Sequence, residues 1–240
     1  MKAFLLAAGN GTRLKPLTDT VPKCLLPVQG TPLLGIWLEL CRAHGIDEVL
    51  VNAHAHSAAV MKYAAEHHRG LSIRVFEEKK LLGSAGTLRE NRAWAGKDPE
   101  FWILYGDVLT CANLTRMLEF HRRLRQPATI GVYEVTNPQQ CGIVTPDERG
   151  IVRDFVEKPA HPRGHLAFAG LMIATPAIFD LIPRETPADI GFHVLPKLVG
   201  RMAAFSIPEF LVDIGTPEKY AMVQESWPGV HAKMNPEVRK

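Results

Sequence analysis

Close cysteine pairs, long apolar runs, an excess of one charge, linker-like stretches and internal repeats are all missing from this 240-residue sequence. Each absence removes a class of protein. Cys24, Cys41, Cys111 and Cys141 stand singly, in or beside apolar runs. They lack the spacing of zinc or redox centres and are expected to be four buried free thiols in a reducing cytoplasm. The 28 basic and 25 acidic residues leave a formal charge of only +3. No global field therefore argues for nucleic acid or an anionic membrane as partner, and any anion binding must be local. The first apolar stretch breaks at Gly9, far short of the roughly 20 residues that span a bilayer and shorter than an export signal. With no linker and no repeat, one domain over residues 1–227 is expected, followed by a loosely ordered tail over 228–240 that carries Pro228 and Pro236.

What is present is ordinary globular composition, 46% apolar and 22% charged, enough to bury a sizeable core. Short apolar runs alternate with longer amphipathic ones. The periodicities predict strands over 3–8, 48–52, 72–76, 101–105, 128–135 and 168–174, and helices over 32–44, 58–67, 84–94 and 114–124. Two short strands around Pro146-Asp147-Glu148-Arg149-Gly150 read as a hairpin. This rhythm predicts an α/β fold, a Rossmann-like three-layer sandwich whose mixed sheet is mostly parallel.

Candidate chemistry gathers at the ends of the predicted strands. After the first, Gly9-Asn10-Gly11-Thr12-Arg13 offers consecutive backbone N–H groups that can curl round phosphate oxygens, and Arg13 adds a forked cation. The spacing is neither that of the dinucleotide fingerprint nor that of the P-loop. Taken alone, the two glycines are equally a plain tight turn. Asp107 follows Gly106 at the carboxyl end of the strand 101–105, where ligands of open α/β sheets collect. By itself it is also a turn former, and Asp213 is also a helix cap. Val156-Glu157-Lys158-Pro159 sets an acid and a base on successive residues, which point to opposite faces of a regular strand unless Pro159 ends it. A surface ion pair is the plain alternative there.

The continuation through Leu14-Lys15-Pro16-Leu17-Thr18, Val21-Pro22-Lys23-Cys24-Leu25-Leu26-Pro27-Val28 and Gly30-Thr31-Pro32-Leu33-Leu34 makes the glycine loop part of a long signature. It resembles that of the sugar-1-phosphate nucleotidyltransferases, the family of the mannose-1-phosphate guanylyltransferases and glucose-1-phosphate thymidylyltransferases. The resemblance implies the nucleotide-diphospho-sugar transferase fold, without the left-handed β-helix of hexapeptide repeats that larger members append. It implies that Leu6, Ala8, Gly9, Gly11, Thr12 and Arg13 hold the triphosphate, that Arg13 promotes departure of pyrophosphate, and that Lys23 contacts the α-phosphate. It also implies Mg²⁺ held by Asp107 and by Asp213 of Asp213-Ile214-Gly215-Thr216-Pro217, an ion that takes few protein carboxylates. On the sugar side, it implies that Glu157 meets hydroxyls and Lys158 the phosphate, while Gly142 and Gly170 clear room for the hexose.

Leu82-Gly83-Ser84-Ala85-Gly86-Thr87 resembles the family segment that carries the nucleobase, with Gly83, Ser84, Ala85 and Glu78 as nucleotide contacts. A carboxylate at 78 suits the adjacent N–H donors of guanine, which favours GTP with mannose-1-phosphate or a heptose-1-phosphate. A one-residue shift would put Glu77 in that place. Uridylyl or thymidylyl transfer to a related sugar phosphate is one rival. A catalytically silent nucleotide-sugar-binding regulatory subunit is another, and it would be expected to lose Arg13, Lys23, Asp107 or Asp213. Two departures from the family pattern stand out: Phe210 where a tryptophan is common, and His193, which either approaches the sugar or an adjacent subunit or is a structural histidine. A homodimer is left open. The expected reaction is in-line attack of a sugar-1-phosphate oxygen on the α-phosphorus, with Arg13, Lys23 and Asp107 as the catalytic residues.

Overall fold

Strand β1 (Lys2–Leu6) sends Ala3 and Leu5 to one buried face of a sheet and Phe4 to the other. The same period-two division repeats in β4 (Glu48–Ala53) with Val49 and Val51 against Leu50, and in β6 (Phe101–Tyr105) with Trp102 and Leu104 against Phe101 and Ile103. A sheet apolar on both faces needs cover on both, and three layers result. The structure, a computed structural model, describes residues 1–232.

Strands β5 (Ser72–Glu77), β4, β1 and β6 lie side by side and parallel. Beyond β6 the sheet turns antiparallel through the long strand β11 (Leu166–Ala174). One edge of β11 is shared by β6 and by β9 (Gly142–Pro146), which pairs in turn with β10 (Val152–Glu157) as the expected hairpin. Its other edge takes β8 (Ala128–Glu134), which is followed by β12 (Met202–Ser206). A bulge in β11 lies between Phe168 and Met172 and contains Gly170. Two small ribbons stand apart from the sheet, β2 (Pro27–Val28) with β3 (Thr31–Pro32), and β7 (Val108–Thr110) with β13 (Leu211–Asp213). The helices are α1 (Leu33–Ala43), α2 (Ser57–Glu66), α3 (Ser84–Glu90), α4 (Arg92–Ala95), α5 (Leu114–Leu124), α6 (Ile190–His193) and α7 (Pro217–Ser226). β1 is flanked by β4 on one side and by β6 on the other, so the crevice beyond its carboxyl end is a topological switch point.

Two expectations need correction. The helix over 84–94 is interrupted at Asn91, where the backbone N–H and the side-chain amide both donate to the Thr87 carbonyl, at 3.2 and 3.0 Å. All four cysteines are free, but only Cys24 and Cys41 are buried, and burial pushes those two thiols up to about 12. Cys111 and Cys141 are half-buried because each lies beyond a strand or turn end, Cys141 on the wall of a cavity. Among the described residues no helix is long and apolar enough to cross a membrane. Of the tail expected over 228–240, Val230 packs against the core, while 233–240 lie outside the described residues.

Candidate active site

A cavity of about 560 Å³ opens at the carboxyl end of β1. Of the residues expected to hold a nucleotide, Leu6, Ala8, Gly9, Gly11, Thr12, Arg13, Lys23, Glu78, Gly83 and Ser84 line it, whereas Ala85 is fully buried behind it. Left-handed backbone at Gly11 lets its carbonyl accept from both the Leu14 N–H and the Thr18 hydroxyl, each at 2.8 Å, which closes the glycine loop. Glu78 lines the cavity, whereas Glu77 turns outward and accepts from the Ser57 hydroxyl. The segment 82–87 is docked on residues 188–190: the Ala85 N–H donates to the Ala188 carbonyl at 2.9 Å, and Ser84 Oγ donates to Asp189 at 2.8 Å.

The ribbon of β7 and β13 performs the long-range step. It sets Asp213 opposite Val108, and the Ile214 N–H donates to the Asp107 carbonyl at 2.9 Å. Asp107 and Asp213 therefore meet across 106 residues of chain, 213 minus 107. Lys23, only 9% exposed, places Nζ 2.8 Å from Asp107 Oδ2 and 4.0 Å from Asp213 Oδ1. Lys219 approaches the other oxygen of Asp213 at 3.9 Å. Arg13 flanks the same carboxylate across Gly215, where a Cβ would stand 2.9 Å from the guanidinium and 3.2 Å from Asp213 Oδ1. Burial above all, and then Asp107, raises the Asp213 carboxyl above its ordinary range against the pull of Lys23, Lys219 and Arg13. Asp213 Oδ1 is buried and has no hydrogen-bond partner among the described residues. Among those residues no cluster of three or more His, Cys, Asp or Glu is set to hold a metal. Two converging carboxylates, one with an orphaned oxygen, nevertheless fit Mg²⁺, which keeps most of its shell as water and substrate oxygen.

A second cavity, about 740 Å³, shares Arg13, Tyr105 and Asp107 with the first. Gly142, Glu157, Lys158, Gly170 and Asp213 all line it. β10 ends at Glu157, and Lys158 adopts φ +48°, so the chain turns and both side chains enter one cavity instead of diverging. Lys158 Nζ lies 3.8 Å from Glu157 and 5.7 Å from the centre of the Phe192 ring. Burial raises the Glu157 carboxyl, Lys158 opposes that, and Asp189 adds to it. The space at Gly142 is needed by the protein itself, since a Cβ there would stand 2.6 Å from Glu157 Oε2. His193 is exposed, and its Nδ1 accepts the Asp189 N–H at 2.9 Å. Phe210 packs edge-on against Trp227 with ring centres 5.4 Å apart.

Four site residues escaped the sequence reading: Asn52, Tyr105, Asp189 and Lys219. Tyr105 directly precedes Gly106-Asp107, and Lys219 closes the turn after Asp213-Ile214-Gly215-Thr216-Pro217, so adjacency to a motif was a usable signal for both. Burial and neighbouring acids raise the Tyr105 phenol well above its ordinary range.

Residues 2–227 match the nucleotidyl transferase family. The chain is 32% identical over 227 residues to mannose-1-phosphate guanylyltransferase 1 of Arabidopsis thaliana, an alignment covering 92% of this chain and 63% of that protein. It is likewise 32% identical to a UTP–glucose-1-phosphate uridylyltransferase of Synechocystis sp., over 100% of this chain and 65% of the relative. The chain thus spans slightly less than two thirds of the length of these curated relatives. A solved structure of UDP-glucose pyrophosphorylase complexed with UDP-glucose superposes with a TM-score of 0.82 at 21% identity, covering 94% of this chain and 97% of that one. At that identity the likeness establishes the fold, a nucleotide-diphospho-sugar transferase fold.

Proposed function

We propose, from the premise that this chain belongs to the nucleotidyl transferase family, that it transfers a nucleoside monophosphate from a nucleoside triphosphate to a sugar 1-phosphate. The products are a nucleoside diphosphate sugar and pyrophosphate. The carrying observation is the junction where Lys23 stands between Asp107 and Asp213 while two cavities meet at Asp107 and Arg13. The triphosphate occupies the first cavity, its phosphates along the glycine loop. The sugar phosphate occupies the second, with Glu157 at the hydroxyls, Lys158 at the phosphate, and Lys219 as a further cation at the junction.

An oxygen of the sugar phosphate forms a bond to the α-phosphorus in line with the breaking bond to the pyrophosphate oxygen, and that electron pair leaves on pyrophosphate. The attacking phosphate is already ionised at neutral pH, so no general base is required. Lys23, Arg13 and Lys158 hold the reacting groups in place and offset the gathered negative charge. Asp107 and Asp213 would hold Mg²⁺, whose charge would neutralise phosphate oxygens at the junction.

GTP with mannose-1-phosphate or a heptose-1-phosphate is the pair we favour, supported by the guanylyltransferase relative. Uridylyl transfer is the second reading, supported by the Synechocystis relative at the same identity. A matrix of nucleoside triphosphates against sugar 1-phosphates, read by pyrophosphate release, tests both. Product with UTP alone would replace guanine by uracil. Nucleotide binding without release from any pair would leave the silent subunit standing instead.

A further inference from the structure

Asn52, near the end of β4, is 4% exposed and lines the first cavity, and both its amide hydrogens and its carbonyl oxygen are engaged within the protein. Its Oδ1 accepts the Ala7 N–H at 2.6 Å, from the residue that opens the glycine loop. Its Nδ2 has two hydrogens and donates to Glu78 Oε1 at 2.7 Å and to Thr87 Oγ1 at 3.1 Å. Glu78, 3% exposed, also accepts from the Thr87 hydroxyl, and its Oε2 accepts the Leu82 N–H at 3.0 Å. Its backbone is pinned as well, the N–H donating to the Ala53 carbonyl at 2.8 Å. Among the described residues no cation pairs with this buried carboxylate; it is held by N–H and O–H donors alone.

We propose that Asn52 is a positioning residue which, with Glu78, forms a strut fixing the spacing between the triphosphate loop and the base segment at 82–87. On this assignment the Glu78 carboxylate is spent on the strut and does not read the base. The inference rests on the nucleotidyl transfer reading for its purpose, but its geometry is separate from the chemistry at Asp107. Shifting either end of the strut would move the triphosphate relative to the base while leaving the sugar cavity untouched.

The strut predicts a reversible swap. Asn52→Asp sets an acceptor oxygen against the Glu78 carboxylate, and two carboxylates at that distance repel or must share a proton. Glu78→Gln sets an amide donor against the Asn52 amide. The double variant Asn52→Asp/Glu78→Gln restores one donor facing one acceptor, and Ala7 and Leu82 keep their acceptors. Steady-state kinetics by pyrophosphate release should show KM for the triphosphate raised about tenfold or more in each single variant. KM for the sugar phosphate should stay within about twofold, and the double should return to within about threefold of the parent with its GTP-to-UTP preference unchanged. Calorimetric affinities for GTP and UTP with Mg²⁺ follow the same pattern without turnover. They separate the two ideas: a parent that binds nucleotide and releases no pyrophosphate defeats the transfer reading while the affinities still judge the strut. A single variant that fails to fold beside a double that folds and binds supports the strut. A double no better than the worse single, a double that does not fold, or a base preference altered by Glu78→Gln and still altered in the double overturns it. A parent that binds neither nucleotide overturns both ideas.

Discussion

Around the first cavity Asn52, Glu78 and Thr87 are buried and every polar side-chain atom among them is hydrogen-bonded. At the second cavity Asp213 Oδ1 is buried without a partner, and both Asp213 and Glu157 are held above the ordinary carboxylate range. The first cavity is framed by a finished internal structure, whereas the junction and the second cavity keep charge in reserve. Satisfied networks rigidify a scaffold, while perturbed acids beside cations collect where ligands bind. The loop and base segment thus present a fixed frame, and the electrostatic imbalance sits where phosphate oxygens would arrive.

The sharpest way to break this comparison is Asp107→Asn, which keeps the shape of the junction and removes half its negative charge. Turnover should fall by roughly a thousandfold or more, with the melting temperature within a few degrees of the parent. Unchanged pyrophosphate release would remove Asp107 from the reaction. Next in size is Gly83→Ala on the finished side. Gly83 has φ +77°, and an added Cβ would stand 2.8 Å from the Ala188 carbonyl carbon and press on its oxygen. Left-handed strain and backbone overlap together should cost about 2–4 kcal/mol, a melting shift on the order of 10 °C. A variant as stable as the parent would show that the base segment is not locked on Ala188. Smaller still is Lys158→Ala, expected to raise KM for the sugar phosphate about tenfold to a hundredfold and to leave KM for the triphosphate near its parent value. Equal effects on both substrates would dissolve the division into two sides.

The same contrast governs what the residues disclosed in advance. Strands β1, β4 and β6 were legible because apolar runs buried on both faces leave a local imprint, and the glycine loop with Lys23 is contiguous in sequence. The meeting of Asp107 and Asp213 was not legible from spacing, because three-residue strands separated by a hundred residues carry no periodic signal. Nor could it show that Glu157 and Lys158 share a cavity, since that depends on one left-handed residue before Pro159. Asn52 looked like the unremarkable end of a strand, and only the packing of three segments gives its side chain a task. The break at Asn91, where backbone and side-chain N–H share the Thr87 carbonyl, is a feature that apolar periodicity does not register.

Two glutamates bring the comparison to its finest test, because the same change should have opposite signs on the two sides. Glu157 has its folded-state carboxyl raised, chiefly by burial and with Lys158 in opposition. As pH climbs from the ordinary glutamate value to the raised one, the unfolded chain loses its proton first, so stability falls through that window and the deficit persists above it. Glu157→Gln removes the deficit. Near pH 7 it should gain less than about 1 kcal/mol, a melting rise of no more than about 3 °C, and near pH 4 it should gain nothing. Glu78→Gln instead sets an amide where three donors converge and should lower the melting temperature near pH 7. Thermal scans of both variants at the two pH values decide the matter. A Glu157→Gln protein less stable than the parent near pH 7 would mean that this carboxylate is as fully satisfied as Glu78, and the distinction between a finished side and a charged one would no longer hold.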